Sequence, residues 1–425
     1  MCDSSGVLCL SITRPVSAAG QRLGEESRMP RKNRFQHQIY PTTPVLKPVL
    51  KKIACQDVVP GAFHSLHTRH EIGRVVLVHG TFVGDDPIGV AEMFQSLGEG
   101  IPVIGAQLAA IADTLRENVR PMTESFVEDI GNYTAGFRDT FQELVGDDPQ
   151  IEVMEPSWSS QNHHLARADL AVRLLHQLLQ RPLPDRQKIL YWGHSHAGNA
   201  FALLTNLLAN DRESVQAFFT AAGTQVGEHW KAVRLALTSA PTPHPLAEQV
   251  VIVTFGTPVR YGWDNSGCCQ LAHVLFHRPY DPEQPFLTMP LFPPHAVKDM
   301  LAATWGDWVQ AFAIAGTDVP SAMSLSSNER LAALLEANLP EPACGLDTSL
   351  IFSKALRVAC ERWKLGTRCH SDGLNMLIDY IPSGQRTSLG QELETTVMGH
   401  GVATTLKWLP AHLHVVMEAL EKTAN

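Results

Sequence analysis

Residues 188–208, KILYWGHSHAGNAFALLTNLL, carry the pattern that decides the fold. The stretch begins with an apolar run typical of a buried strand and ends with an apolar run of helical character. Between them lies a Gly-x-Ser-x-Ala turn made by Gly193, Ser195 and Ala197. Such a strand–turn–helix unit holds its serine in a strained backbone conformation with Oγ exposed above the sheet edge. We therefore predict that Ser195 is a nucleophile. The alternative is an ordinary strand–turn–helix unit in which the serine only caps the helix.

Further apolar runs alternate with longer helical patterns along the chain, as in the leucine-rich stretch Leu165–Leu179. This alternation predicts an α/β fold with a mostly parallel central sheet covered by helices. Each run is rich in β-branched and large apolar residues, as expected for strands that are buried on both faces. The predicted strands are Val75–Val78, Ile151–Met154, Lys188–Trp192, Val250–Phe255, His273–Phe276 and Leu374–Ile378.

Composition indicates a globular protein: 44% of the 425 residues are hydrophobic and 18% are charged. The net charge of −9 argues against nucleic acid as a partner, because phosphate binding needs a basic surface. Residues 1–70 are rich in proline, serine and basic side chains and are predicted to form an arm or linker before a domain at 71–425. Insertions at about 84–149 and 282–370 are expected to form a lid or extra core-covering helices.

No segment has the ~18 consecutive apolar residues of a membrane span, and the N-terminal stretch lacks the pattern of a secretory signal. A cytoplasmic location is the resulting expectation. The eight cysteines contain no Cys-x-x-Cys pair, and no histidines show metalloprotease spacing. We therefore expect neither a bound metal nor a cofactor.

An upstream strand ends in Val78-His79-Gly80, followed by Thr81. Acyl transfer needs two preplaced donors for the tetrahedral oxyanion. The backbone N–H of His196, directly after the nucleophile, and that of Thr81 are the predicted pair. An ordinary strand-to-loop turn at His79-Gly80 is the alternative interpretation.

A histidine beyond the last predicted strand is expected to be the general base. In enzymes whose nucleophilic serine lies in such a strand–turn–helix unit, the catalytic residues follow the chain order serine, acid, histidine. His400, in a Gly-His-Gly loop, is favoured over the competing His370, His412 and His414. The flanking glycines would let this loop fold down over the serine.

Together these segments resemble the α/β-hydrolases of the lipase and esterase kind. Thr254-Phe-Gly-Thr-Pro258, followed by a His-x-x-x-Asp281-Pro282 segment, is similar to the class 3 lipases in particular. The resemblance implies a three-layer α/β-hydrolase fold with helical insertions, a Ser–Asp–His triad and hydrolysis of a carboxylic ester. It points to Asp281 as the triad acid, and Asp318 and Asp379 are the alternatives.

Three further side chains, Phe82, His194 and Trp158, are candidates for the substrate pocket because they flank the predicted site residues or follow a strand. The expected substrate is a small-molecule or lipid ester, most specifically a lipid or phospholipid ester, with transient contact to a membrane surface. Two other functions stay open: acyl transfer to an alcohol on the same triad, and a non-catalytic binding protein of this fold.

Overall fold

The structure, a computed structural model, describes residues 46–57, 59–80, 133–146, 151–223, 227–258, 260–279, 281–287, 299, 303–312, 320, 324–335, 365–369, 371–381 and 399–424. These residues all belong to one compact unit, Asn33–Asn425. The described strands are β1 (Val49–Ala54), β2 (Ile72–Val78), β3 (Glu152–Met154), β4 (Lys188–His194), β5 (Val250–Phe255), β6 (Gln270–Phe276) and β7 (Leu374–Ile381). They form one sheet in the order β1-β7-β6-β5-β4-β2-β3, and every pairing is parallel. The predicted α/β class with a parallel sheet is confirmed.

Alternate residues of the central strands enter two separate hydrophobic cores, one on each face of the sheet. In β4, Ile189 and Tyr191 join one core, while Leu190 and Trp192 join the other. Because side chains of a strand point to opposite faces in turn, a strand covered on both faces must be apolar at every position. This requirement explains the continuous apolar runs in the sequence.

Helices cover both faces. The described α-helices are α1 (Ser65–His70), α2 (Ala135–Val145), α3 (His164–Gln180), α4 (His196–Ala209), α5 (Arg212–Ala222), α6 (Glu228–Ser239), α7 (Trp308–Phe312), α8 (Leu325–Leu335) and α9 (Leu409–Thr423). Residues of α3, α4, α5 and α6 pack in the first core, and residues of α2 and α9 pack in the second. Every residue of α4 is buried, in keeping with a sequence that is mostly apolar and has no charged Lys, Arg, Asp or Glu.

The sheet begins earlier in the chain than the sequence indicated, because β1 lies inside the segment expected to be an arm. It pairs with β7 along its full length, and α1 follows it before residue 70. The basic stretch containing β1 was misinterpreted as a linker. As an edge strand it buries only Ile53, and Lys51 forms an ion pair with Glu418. Charged residues on an edge strand are a common defence against unwanted strand pairing. Residues 1–45 lie outside the described part.

The insertion predicted at 84–149 ends in α2, whose Phe137, Phe141 and Leu144 are fully packed in the second core. This part of the insertion is therefore a core-covering helix. The insertion predicted at 282–370 contributes α7 and α8 to the described residues. The remainder of both insertions lies mostly outside the described residues.

The strand order places a crevice at the end of β4. From β2 the chain runs outward to the edge strand β3, then returns to the other side of β2 as β4 and continues through β5, β6 and β7. Successive connections therefore leave β2 and β4 in opposite directions. Ligands of open parallel sheets bind at such a switch point, outside the carboxyl ends of the strands. Ser195 follows β4 and His79-Gly80 follows β2, so both predicted motifs lie at this crevice.

Candidate active site

Ser195 lies in the turn between β4 and α4 with φ 55° and ψ −129°. A positive φ is costly for a residue with a Cβ and is retained only where surrounding structure enforces it. Two close approaches impose the tight turn. A Cβ on Gly193 would lie 2.2 Å from the Phe201 ring, and a Cβ on Gly198 would lie 2.0 Å from Thr257 Oγ1. Glycine is thus needed at positions 193 and 198, whereas position 197 accommodates alanine.

Backbone contacts with the end of β5 hold the serine from the other side. The N–H of Ser195 donates to the carbonyl oxygen of Phe255 at 2.9 Å. The hydroxyl of Thr257 donates to the carbonyl oxygen of Ser195 at 3.0 Å, and the N–H of Gly198 donates to the same oxygen at 3.1 Å. Both backbone polar groups of Ser195 are therefore fixed, and its side chain is the part left for chemistry.

The end of β2 lies directly against the serine. A Cβ on Gly80 would lie 2.6 Å from Ser195 Cβ and 3.2 Å from Ser195 Oγ, so only glycine fits there. Nδ1–H of His79 donates to the Gly80 carbonyl oxygen at 2.8 Å, and burial lowers the pKa of His79, which favours its neutral form. The predicted oxyanion donor Thr81 and the predicted pocket residue Phe82 lie outside the described residues.

His400 follows β7 in the turn that leads to the final helix, and its partner is Asp307. Nδ1 of His400 lies 2.8 Å from Oδ2 of Asp307, and the two side chains are only 4% and 3% exposed. The second carboxylate oxygen, Oδ1, accepts from the N–H of Gln310 at 2.8 Å. Among the described residues, the buried Nε2 of His400 has no hydrogen-bond partner. The imidazole is thus anchored at Nδ1, while its buried Nε2 is left without a partner among the described residues.

Gly256, at the end of β5, brings the acid, the histidine and the serine together. It has φ +56°, and a Cβ there would lie 2.6 Å from Asp307 Oδ2 and 3.1 Å from His400 Nδ1. The residue before it, Phe255, accepts the N–H of Ser195. Ser195, His400 and Asp307 therefore converge on a single strand end.

Asp281, the acid expected from the sequence, does not contact His400. Its carboxylate accepts from the N–H of Glu283 at 2.9 Å and from Gln284 Nε2 at 3.4 Å, so it stabilises its own exposed turn. The expectation that Asp281 pairs with the histidine is wrong, because the carboxylate that pairs with His400 is that of Asp307. The N–H of Asp307 donates to the carbonyl oxygen of Phe276, the last residue of β6, at 3.0 Å. Asp307 thus adjoins the end of β6 in space although it is distant in sequence.

The two alternative acids do not replace it. Asp379 accepts from Nε of Arg278 at 2.8 Å and lies near Lys52, which makes it part of an ion-pair network on the sheet. Asp318 lies outside the described residues. Asp307 follows Gly306, which has φ +115° and forms a bridge with His277, and neither of these structural features is apparent from the sequence.

Competing histidines fall elsewhere. The Nε2 of His412 is hydrogen-bonded to the Tyr380 hydroxyl at 2.8 Å, and burial lowers the pKa of His412 to about 3. His414 packs edge-on against Phe63 at the far side of α9, with ring centroids 4.7 Å apart. His370 lies outside the described residues. Of the described candidates, His400 alone is paired with a buried carboxylate.

His194 and Trp158, both expected to line the pocket, have different surroundings. His194 is 1% exposed; its Nε2–H donates to the backbone carbonyl of His400 at 3.0 Å, and the two rings lie 4.5 Å apart. It therefore supports the histidine loop and lies beneath the crevice. Trp158 is partly buried against the first core, with its ring 5.8 Å from that of His79. Trp158 thus lies beside the end of β2, at the rim of the crevice.

Sequence inspection missed a buried polar cluster beside the crevice. His164 Nδ1 and Nη1 of Arg167 both bond the Tyr261 hydroxyl, at 2.8 Å and 3.2 Å, and Nη2 of Arg260 donates to His164 Nε2 at 3.0 Å. Burial, followed by the two nearby arginines, holds the pKa of His164 well below its usual value. Because a neutral His164 accepts from Arg260 at Nε2, the proton of its ring is on Nδ1.

The residue ranges that the structure describes hold no group of three His, Cys, Asp or Glu side chains arranged for a metal ion. They also hold no helix long and apolar enough to cross a bilayer. Comparison with protein-family models, curated proteins and solved structures gives no match to this chain.

Proposed function

We propose that this chain is an α/β-hydrolase-fold serine hydrolase that cleaves a carboxylic ester through an acyl-enzyme. The observation that carries the proposal is the convergence, at the end of β5, of a strained Ser195 and a buried His400–Asp307 pair whose Nε2 has no hydrogen-bond partner among the described residues. A capping serine needs no such partner, and a buried imidazole nitrogen without a hydrogen bond costs folding energy. Groups that are costly for stability and converge at a crevice are typical of catalytic sites.

In the proposed mechanism, Ser195 Oγ attacks the ester carbonyl carbon while Nε2 of His400 takes the hydroxyl proton. Asp307 keeps the other imidazole proton on Nδ1 and stabilises the positive charge that develops on the ring. The tetrahedral oxyanion accepts hydrogen bonds from the backbone N–H groups of His196 and Thr81. His400 then protonates the departing alcohol, and water, deprotonated by the same nitrogen, releases the acid and restores Ser195.

The order of the parts supports the proposal. Ser195, Asp307 and His400 follow β4, β6 and β7 respectively, in the chain order serine, acid, histidine used by this class of hydrolase. A lipid or phospholipid ester is the substrate class we propose, on the strength of the lipase-like segment at 254–258.

Activity-based labelling tests the function directly. Wild type, Ser195→Ala and the control Ser239→Ala would be treated with a fluorophosphonate probe, and mass spectrometry would locate the modified residue. We expect labelling at Ser195 in wild type and in the control, where the hydroxyl only donates to the Leu235 carbonyl on an exposed helix face. The Ser195→Ala variant is expected to stay unlabelled.

A folded wild type that is not labelled, with or without detergent, would refute the hydrolase proposal and favour a non-catalytic protein. If wild type is labelled at Ser195, fresh unlabelled wild type would then be assayed on p-nitrophenyl esters of increasing acyl length and on phospholipid vesicles. Adding an alcohol and measuring the ester formed would distinguish acyl transfer from hydrolysis.

A further inference from the structure

The side chain of Thr257 contacts the backbone of the proposed nucleophile, Ser195. The residue is 1% exposed, and its hydroxyl donates to the carbonyl oxygen of Ser195 at 3.0 Å. It lies two residues beyond β5, in a loop to which no catalytic group has been assigned. Its role therefore has to be derived from what the Ser195 carbonyl does.

That carbonyl shares a rigid peptide unit with the N–H of His196, the first oxyanion donor of the proposed mechanism. In a trans peptide the C=O and the N–H point in opposite directions, so fixing one fixes the other. The hydroxyl of Thr257 and the N–H of Gly198 together occupy the Ser195 oxygen, at 3.0 Å and 3.1 Å. The N–H of His196 is thereby aimed away from Thr257, at the N-terminal end of α4, where helix N–H groups stabilise negative charge.

Thr257 is itself held by the loop of the acid. Nε2 of Gln310 donates to the Thr257 carbonyl oxygen at 3.3 Å, while the N–H of Gln310 donates to Asp307 Oδ1 at 2.8 Å. The Thr257 hydroxyl also packs closely against Gly198, where a Cβ would lie 2.0 Å from Thr257 Oγ1, and this contact restricts the position of the hydroxyl. Its position is therefore set by buried contacts on both sides.

We propose that Thr257 is a positioning residue that orients the oxyanion donor of the nucleophile turn. The inference rests on the proposed hydrolase function and adds a residue that touches neither substrate nor the reacting atoms. Catalytic power from an oxyanion hole depends on donors placed before the reaction begins. A residue that fixes one donor affects the transition state more than it affects substrate binding.

The test compares Thr257→Val, which removes the hydroxyl at nearly constant shape, with Thr257→Ser, which retains it. Thr205→Val is the matched control, because Thr205 is equally buried and its hydroxyl donates to the Ala202 carbonyl at 2.8 Å, inside α4. For each variant kcat and KM would be measured on p-nitrophenyl butyrate, together with the Ki of an alkyl trifluoromethyl ketone. The serine adduct of that ketone carries an oxyanion in the place of the tetrahedral intermediate.

For Thr257→Val we expect kcat to fall about tenfold with little change in KM, and the Ki of the ketone to rise by a similar factor, less than the 10²–10³ of losing a donor outright. For Thr257→Ser, kcat and the Ki of the ketone are expected to lie within about threefold of the wild-type values, since this variant keeps the hydroxyl. Thr205→Val is expected to lower only the melting temperature. If the valine variant is insoluble, Thr257→Ala allows the same measurements without crowding.

Three outcomes would overturn the inference. A Thr257→Val enzyme with wild-type kcat and Ki would show that the hydroxyl does not position the donor. Equal losses in Thr257→Val and Thr205→Val would assign both effects to general destabilisation. A wild type that neither labels at Ser195 nor hydrolyses esters would refute the proposed function and this inference with it, and the wild-type measurement therefore separates the two.

Discussion

Replacing Asp307 by asparagine tests the site most sharply, because the structure dictates how the new side chain must sit. Oδ1 of Asp307 accepts from the N–H of Gln310 at 2.8 Å, and Oδ2 lies 2.8 Å from His400 Nδ1. An asparagine would keep its carbonyl oxygen on the Gln310 N–H and turn its NH₂ group toward His400. Nδ1 of His400 would then have to accept, which moves the imidazole proton to Nε2, the nitrogen that must receive the proton of Ser195.

The size of the effect follows from the loss of charge and from the wrong tautomer. Two unit charges about 4 Å apart interact by about 4 kcal/mol at an effective dielectric constant of about 20. With about 1.4 kcal/mol for each factor of ten in rate, the lost stabilisation of the imidazolium alone corresponds to roughly 10³. The same substitution in a serine protease triad lowers kcat by about 10⁴, mainly through the tautomer. We expect Asp307→Asn to lower kcat by about 10³ to 10⁴ with little change in KM.

The assay is steady-state hydrolysis of p-nitrophenyl butyrate, with circular dichroism to verify folding. Asp281→Asn is the control, because that carboxylate only stabilises an exposed turn, and its kcat is expected to stay within about twofold of wild type. An Asp307→Asn enzyme within about tenfold of wild type would refute the assignment of the acid. A loss in Asp281→Asn as large as in Asp307→Asn would refute it as well.

Two further predictions concern packing and pH. Gly80→Ala would place a Cβ 2.6 Å from Ser195 Cβ, so we expect the rate of fluorophosphonate labelling to fall about 10²-fold; Gly136→Ala, whose Cβ would meet only Thr134 Oγ1 at 3.7 Å, should label normally. Burial lowers the pKa of His412 to about 3, below its ordinary 6.5, so the unfolded chain binds the extra proton between these values. His412 therefore contributes stability that is complete above pH 6.5 and is lost as pH falls toward 3. In urea titrations, the free energy of unfolding of His412→Gln should fall by about 1 kcal/mol less than that of wild type when the pH is lowered from 7.5 to 5.5.

Each of these two predictions has an outcome that would contradict it. Normal labelling of a folded Gly80→Ala protein would mean that the end of β2 can move away from the serine, and that it does not contribute a fixed donor. An unchanged pH dependence in His412→Gln would mean that folding does not lower the pKa of His412, despite its burial against Tyr380 and Phe255.

The features that sequence predicted correctly are those whose cause is local. A strand that is buried on both faces needs apolar residues along most of its length, so β4 and β5 can be recognised as runs of apolar residues in the sequence. The turn at Ser195 needs glycine at 193 because Phe201 passes within 2.2 Å of a Cβ there, and both residues lie in the same short stretch. When two residues in contact lie within about ten positions of each other, the spacing of residue types in the sequence is enough to predict the contact.

The carboxylate partner of His400 was missed because its placement is not local. Asp307 is placed by a backbone hydrogen bond to Phe276, at the end of β6, and the spacing of the sequence does not reveal this contact. Asp281, directly after the same strand in sequence, looked better placed but points into its own turn. The edge strand β1 was missed for another reason, since only Ile53 of its side chains is buried and the lysines give it the composition of a linker.

The Phe255-Gly256-Thr257 segment shows how a stretch without catalytic groups can determine an active site. Its three residues perform three different tasks: Phe255 accepts the N–H of Ser195, Gly256 leaves room for the His400–Asp307 pair, and Thr257 donates to the Ser195 carbonyl. None of these tasks requires contact with a substrate. Because β5 is paired on both sides in the middle of the sheet, its end is among the most rigid positions available for aligning groups from three neighbouring loops. The arrangement of this segment therefore has a physical basis that does not depend on any substrate, and under the proposed function substrate preference would be decided by other residues around the crevice.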